Sequence, residues 1–208
     1  MISRRDLLAG ASGTLALVPL SAGAAPGLDD MVCDPGLKVL GNPAGDVTIA
    51  EFFDYLCPSC KAIHAALKES VRADGRLRLV MKDWPINGGM AWYASRMVHA
   101  SAGLGVYEPA HNAVMTIEGE LTHGEVDDAL RSVGADAGDV RDMLDVHLTT
   151  IDALIARNQA HARALRLDGT PGFLIGDRLY RRPLAVREIV EAVALMRAKW
   201  ESESAHEC

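Results

Sequence analysis

Two cysteines three positions apart could carry redox chemistry. Cys57 and Cys60 enclose a proline and a serine in the stretch CPSC. The β-branched and aromatic run before them predicts a buried strand over residues 47–53. The spacing of apolar residues after them predicts a helix over residues 58–73. The pair would therefore lie where a buried strand passes into a helix.

A helix start favours the ionised form of a cysteine. Its unpaired N–H groups and about half a unit of positive charge stabilise an anion, which lowers the pKa of a thiol placed there. Cys57 comes first, so we expect it to be the more exposed sulfur, with Cys60 one turn further in. Pro58 suits the first helical turn, where its missing N–H costs nothing, and it restricts the backbone between the sulfurs.

Two other roles for the cysteine pair are less well supported by the sequence. A bridge across three residues closes a very small loop, so it would add little stability as a passive disulfide. A zinc site needs four ligands, and Cys57, Cys60 and His64 supply three without a second C-x-x-C motif. Lys61 after Cys60 excludes the C-x-x-C-H haem pattern. A redox role is favoured, and a copper-binding or metal-tolerance protein remains the alternative of another class.

The elements around this pair predict an α/β protein. A chain of 208 residues suits one domain, or one domain with an insertion. A second strand is expected over 76–82, a hairpin from 171, and a last helix from Pro183 to about Trp200. That helix would turn five apolar side chains inward: Val186, Ile189, Val190, Val193 and Met196.

Between residues 90 and 167 the sequence predicts helices and no strand. Thr122 and Glu125 form a capping box that would begin the third of them. A fourth helix would start at Asp136 or Asp139 and end near residues 147–150, and a fifth would follow. Six histidines are expected at helix surfaces or in the tail: His99, His111, His123, His147, His161 and His206.

These features together resemble the DsbA-like branch of the thioredoxin superfamily. The resemblance is carried by EFFDYLCPSC, by GTPGFLIG at 169–176 and by the block of helices between them. It implies a thioredoxin fold with an inserted helical domain. The thioredoxin-like part would comprise 47–86 and 168–200, and the insertion 87–167. An extended lead-in (25–46) and a polar tail (201–208) would flank them.

The resemblance also implies roles for individual residues. Cys57 would be the nucleophile that forms a mixed disulfide, and Cys60 the resolving cysteine. Thr170 and Pro171 would form a cis peptide facing the cysteines, with Thr170 pairing to the substrate backbone as a short strand. The family carries an acid at the position of Glu51, which would accept a proton from Cys60 and have a pKa raised by burial. Lys82 is a candidate partner for that carboxylate.

The direction of electron flow stays open at this stage. Ser59 replaces the histidine of many oxidases, and Thr170 stands where strong oxidases often have valine, so a mild oxidant is favoured. His64 could also modulate the cysteines. An oxidase would act on unfolded exported polypeptides and be reoxidised by a DsbB-like membrane partner. An isomerase or reductase would depend on a DsbD-like partner. No cofactor is expected, and the short lead-in favours a monomer.

The first 24 residues predict an export signal. Arg4 and Arg5 precede an apolar stretch, and Ala22-Gly23-Ala24 matches an A-x-A cleavage site. The start resembles a twin-arginine signal with Leu7 in place of phenylalanine, and an ordinary secretory signal remains the alternative. We therefore expect a periplasmic location.

The rest of the chain limits other functions. No later apolar run is long enough to predict a membrane span. A net charge of −7 without a basic block argues against nucleic-acid binding. Cys33 and Cys208 could join the chain ends in an oxidising compartment, or remain unpaired.

Overall fold

Five strands form one mixed sheet in the computed structural model, which describes residues 27–34 and 36–206. Their spatial order is β1-β3-β2-β4-β5. β2 and β3 are parallel, and the other neighbouring pairs are antiparallel. The strands are β1 (Lys38–Gly41), β2 (Val47–Phe53), β3 (Leu77–Asp83), β4 (Gly172–Ile175) and β5 (Arg178–Tyr180). The predicted export signal (1–24) and Cys208 lie outside the described residues.

Seven α-helices surround the sheet in the described part of the chain. They are α1 (Leu28–Val32), α2 (Pro58–Asp74), α3 (Gly89–Ala100), α4 (Tyr107–Met115), α5 (His123–Ser132), α6 (Ala137–Ala164) and α7 (Val186–His206). A 3-10 turn, Ser101–Leu104, joins α3 to α4. Helices α3 to α6 all lie between β3 and β4 in the chain, with no strand among them, as predicted. The capping box of Thr122 and Glu125 begins α5.

The central strand β2 contributes to the core on both sides of the sheet. Ile49 and Phe53 pack among side chains of α2 and α7. Ala50 and Phe52, which point the other way, lie in clusters with side chains of α6. Such two-sided burial explains why the strand is apolar at nearly every position. Because β2 is held from both sides, the chain that follows it leaves the sheet edge at a well-defined point.

Two helices are longer than the sequence suggests. The predicted fourth and fifth helices are one helix, α6, of 28 residues. Asp136 caps its start, and residues 139–164 contain no glycine or proline that would end it. The predicted polar tail also begins as helix, because α7 continues past Trp200 to His206. Within α7, Val190 was expected inside but is 51% exposed.

The lead-in contains regular structure that the sequence analysis missed. Residues 28–32 form α1, and Lys38–Gly41 form the edge strand β1. β1 pairs antiparallel with β3, so that Lys38 lies opposite Met81. The glycines, prolines and aspartates of this stretch mark its turns, and they obscured the four-residue strand between them.

Three of the histidines expected at the surface are buried: His99, His111 and His161. The Nε2 atom of His99 lies 2.8 Å from a carboxylate oxygen of Asp83 at the end of β3. The Nδ1 atom of His111 lies 2.8 Å from the hydroxyl of Tyr55. These partners are distant in the chain, so helix periodicity alone gave no sign of them. No helix within 27–34 and 36–206 is both long and apolar enough to cross a bilayer.

Candidate active site

Cys57 caps the N-terminus of α2. Its backbone is extended (φ −76°, ψ 115°), and its sulfur accepts a hydrogen bond from the backbone N–H of Cys60 at 3.2 Å. Pro58 is the first residue of the helix, as predicted. The sulfur of Cys57 therefore lies against the positive end of the helix dipole, where negative charge is stabilised.

The two thiols have opposite pKa shifts. The pKa of Cys57 falls from 9.0 to about 6, because the Cys60 thiol and backbone N–H groups donate hydrogen bonds to its sulfur. The pKa of Cys60 is raised, chiefly by burial and also by its neighbours Cys57 and Glu51. Cys57 is 5% exposed and Cys60 0%. At neutral pH the negative charge therefore lies on Cys57, the sulfur that another molecule can reach.

The loop before β4 completes the site from the other end of the chain. The Thr170–Pro171 peptide bond is cis, as expected. The sulfur of Cys57 lies 3.3 Å from the carbonyl oxygen of Thr170, across 113 positions of sequence, and donates to it when the thiol is protonated. Gly172 begins β4 directly afterwards and pairs with Phe52 of β2. The sheet thus holds the Thr170 backbone beside the reactive sulfur.

Glu51 lies inside the sheet below the cysteines, and it is 1% exposed. Among the described residues, no cation pairs with it and its Oε1 atom has no hydrogen-bond partner. Burial and the charge of Cys57 raise its pKa from 4.5 to about 8. At neutral pH Glu51 is therefore mostly protonated, which makes it a potential proton donor to Cys60.

The predicted pairing of Lys82 with Glu51 is wrong. Glu51 lies opposite Met81 in the β2–β3 register, so Lys82, the next residue, points to the other face of the sheet. There its Nζ atom donates to the carbonyl oxygen of Met31 at 2.7 Å, below the α1 segment. Lys82 is also fully buried, which a lysine near the end of a strand rarely is.

Asp54 is a site residue that the sequence analysis missed. Its carboxylate accepts three backbone N–H groups, from Leu56 at 2.7 Å, Ile86 at 2.8 Å and Asn87 at 2.9 Å. Its backbone oxygen accepts the N–H of Cys57 at 3.0 Å. Asp54 thus fastens the segment leading to Cys57 to the loop after β3. An aspartate three residues before the first cysteine, poised to form an Asx turn, was the available sequence signal.

The predicted redox-tuning residues lie in different environments. Pro58 and Ser59 are exposed beside Cys57. The backbone N–H of Ser59 is one of the groups that lower the pKa of Cys57. His64 is buried, with Nε2 2.9 Å from the Asn112 side-chain oxygen and its ring against His111. These contacts direct His64 toward α4, and its influence on the cysteines stays a prediction.

The metal alternative finds no ligand cluster in the part of the chain that the structure describes. No group of three or more His, Cys, Asp or Glu side chains is arranged there to hold a metal ion. His64, the third ligand considered, is turned toward Asn112. Cys33 is an exposed free thiol, and its suggested partner Cys208 is outside the described residues.

The fold and this site define a thioredoxin-like protein with a C-x-x-C pair facing a cis-proline. The sequence model of the family described as Thioredoxin matches residues 34–194. The chain therefore belongs to the thioredoxin family.

Several solved structures have the same architecture as this chain. A thioredoxin-like oxidoreductase from Silicibacter pomeroyi is 35% identical, with a TM-score of 0.79 over 83% of this chain and 99% of that one. The thiol-disulfide exchange protein alpha-DsbA2 from Wolbachia pipientis is 26% identical, with a TM-score of 0.76 over 81% and 91%. The catalytic domain of Proteus mirabilis ScsC is 21% identical, with a TM-score of 0.71 over 82% and 94%, which shows a shared fold.

One curated protein also matches part of this chain. It is described as Na(+)/H(+) antiporter NhaA 1 of Mycolicibacterium gilvum and is 23% identical over 159 residues. The match covers 74% of this chain but 26% of that protein. The chain therefore spans about a quarter of the length of that relative.

Proposed function

We propose that the protein is an exported thiol-disulfide oxidoreductase that introduces disulfides into folding polypeptides. The observation that carries this proposal is the placement of Cys57, with a pKa of about 6, at the start of α2 and against the Thr170 carbonyl. A thiolate stabilised in the reduced protein favours reduction of the Cys57–Cys60 disulfide. The protein would therefore act as the oxidant toward a substrate dithiol.

The reaction begins with the disulfide form. A substrate thiolate attacks the sulfur of Cys57, and the Cys57–Cys60 bond breaks as the new sulfur–sulfur bond forms. Cys60 leaves as a thiolate inside the protein, where burial raises its pKa. The protonated carboxyl of Glu51 supplies a proton to it, directly or through water. The substrate is then held through Cys57.

The second step releases the product. Another substrate thiolate attacks the substrate sulfur of the mixed disulfide, and Cys57 leaves as a thiolate. Its lowered pKa makes Cys57 a good leaving group. The substrate has then lost two electrons and gained a disulfide. The protein has gained two electrons and holds a Cys60 thiol and a Cys57 thiolate.

The cellular setting is also part of the proposal. Residues 1–24 would direct the chain to the periplasm, where disulfides persist. A quinone-linked, DsbB-like membrane partner would reoxidise the Cys57–Cys60 pair. The substrates would be unfolded or partly folded exported polypeptides. Backbone pairing with Thr170 does not depend on the side chains of the substrate, so it would accept many sequences. The protein would act as a monomer.

Trapping tests this function in cells. In Cys60→Ala the resolving thiol is absent, so mixed disulfides through Cys57 should accumulate with exported proteins. Cys57→Ser should trap none and serves as the matched control. An oxidase is expected to stand mainly in the disulfide form in the unaltered strain. Finding it mainly as the dithiol would refute the proposed direction of electron flow.

An isomerase or reductase of the same fold is the second candidate. Ser59 and Thr170 favour it, since both replace residues found in strong oxidases. A DsbD-like donor would then keep the cysteines reduced, and the Cys57 thiolate would attack substrate disulfides. Rapid repair of a scrambled disulfide protein, with slow oxidation of a reduced one, would favour this candidate.

A further inference from the structure

A groove opens directly beside the reactive cysteine. It has a volume of about 580 Å³, within the range of about 300–1,000 Å³ common for ligand sites. Both chain neighbours of Cys57, Leu56 and Pro58, line it. Thr170 and Pro171 are not among its lining residues, so the groove adjoins the cysteine separately from the cis-proline loop.

One wall of the groove is a single stripe of α2. Pro58, Lys61, Ala62 and Ala65 recur at the helical spacing that places side chains on one face. The two alanines are exposed. Small side chains on this stripe leave the space that forms the groove.

The opposite wall comes from the inserted helices. Met115 at the end of α4 and Ile117 after it face the α2 stripe. The Nζ atom of Lys61 donates to the carbonyl oxygen of Ile117 at 2.6 Å and so bridges the two walls. A second link joins α2 to α4 between His64 and Asn112 at 2.9 Å. The groove is therefore preformed, with its width set by hydrogen bonds.

The chemistry of the walls favours an apolar guest. Most lining side chains are apolar, and the ammonium of Lys61 is engaged by the Ile117 carbonyl. The carboxylate of Glu118 is exposed at the side of the groove. An incoming charged side chain would lose hydration against the apolar walls, and an anionic one would also approach Glu118, whereas an apolar one would bury surface at no such cost.

We propose that this groove, which we call the α2–α4 groove, binds an apolar side chain of the substrate within a few residues of its reacting cysteine. The occupant is a segment of the same polypeptide that is joined to Cys57, because a substrate sulfur bonded there brings its neighbouring residues to Leu56 and Pro58. The inference rests on the proposed function. The groove would select among substrate side chains, whereas Thr170 contacts the substrate only through its backbone.

Peptide oxidation kinetics test this selection. The oxidised protein would react with reduced peptides that carry one cysteine and otherwise serine and glycine. A single leucine would be moved through the three positions on either side of the cysteine. At one or more positions we expect exchange about tenfold faster than with the leucine-free peptide, in line with partial burial of one leucine. Glutathione, which has no apolar side chain beside its cysteine, gives the reference rate.

Filling the groove supplies the decisive variant. Ala65→Phe adds a ring to the wall, and Ala66→Phe places the same ring on a neighbouring exposed residue that does not line the groove. The leucine preference should disappear in Ala65→Phe, remain in Ala66→Phe, and leave the glutathione rate of both unchanged.

Three results would contradict either the groove proposal or the proposed function. Equal rates for all peptides, with normal glutathione exchange, would overturn the groove proposal alone. Retention of the preference in Ala65→Phe would do the same. Failure of the unaltered protein to exchange with glutathione would instead overturn the proposed function.

Discussion

Replacing Glu51 with glutamine should make the protein more stable at neutral pH. The carboxyl of Glu51 is buried, and its pKa rises from 4.5 to about 8, mainly through burial. The folded protein therefore holds a proton that the unfolded chain releases between these two values. Stability contributed by the protonated carboxyl is complete below pH 4.5 and is lost as the pH rises toward 8. Glutamine has nearly the same shape and does not titrate.

The size of the effect follows from the width of that window. Each pH unit between the two pKa values changes the unfolding free energy by about 1.4 kcal/mol. Across the span from 4.5 to pH 7, the unaltered protein loses about 3 kcal/mol that Glu51→Gln keeps. Between pH 5 and pH 7 the difference in unfolding free energy should widen by about 2.5 kcal/mol in favour of the variant. It should level off above pH 8.

Urea unfolding of the reduced proteins at several pH values measures this difference directly. Cys57 titrates in both proteins, so comparing them gives the contribution of Glu51 together with its charge coupling to Cys57. The same variant should slow formation of the mixed disulfide, because the Cys60 thiolate loses its proton donor. Parallel stability curves for the two proteins from pH 5 to 8 would refute the assignment of a protonated, buried Glu51.

Substitutions at three further positions test other parts of the structure. Ser59→His places an imidazolium beside the Cys57 thiolate, so the pKa of Cys57 should fall below its present value of about 6 in an ultraviolet thiolate titration; an unchanged titration would contradict this. Lys82 has a pKa lowered by burial from 10.5 to about 8, so the folded state releases a proton that the unfolded chain keeps. The difference in unfolding free energy between the unaltered protein and Lys82→Met should therefore shift by up to about 3 kcal/mol in favour of the unaltered protein between pH 8 and 10.5, and an unchanged difference would contradict this. Asp54→Ala leaves three partly buried N–H groups without their acceptor and should cost about 2 kcal/mol in urea unfolding, with Asp54→Asn losing less; equal stability of the two variants would refute that role.

The arrangement around the cysteines could be predicted because its signals are local. An apolar strand, a proline at the first helical position and a cysteine pair one turn apart describe the β2–α2 junction within a dozen residues. The cis peptide at Thr170–Pro171 was expected from the family pattern, and the structure confirms it. The capping box that begins with Thr122 likewise predicts the start of α5.

The remaining features depend on contacts that local sequence does not reveal. Lys82 points away from Glu51 because the β2–β3 register places Met81 opposite that carboxyl. The hydroxyl of Tyr55 contacts the ring of His111, which is 56 positions away in the sequence. A helix surface pattern cannot show such a partner, since burial of the imidazole follows from how α4 packs against the end of β2.

The redox potential of the Cys57–Cys60 pair tests the central claim most directly. It would be measured by equilibrating the protein with glutathione buffers and separating the dithiol from the disulfide form. A Cys57 pKa of about 6 lies between those of thioredoxin, about 7, and DsbA, about 3.5. We predict a potential less negative than that of thioredoxin, about −270 mV, and more negative than that of DsbA, about −120 mV. A potential at or below that of thioredoxin would contradict an oxidase.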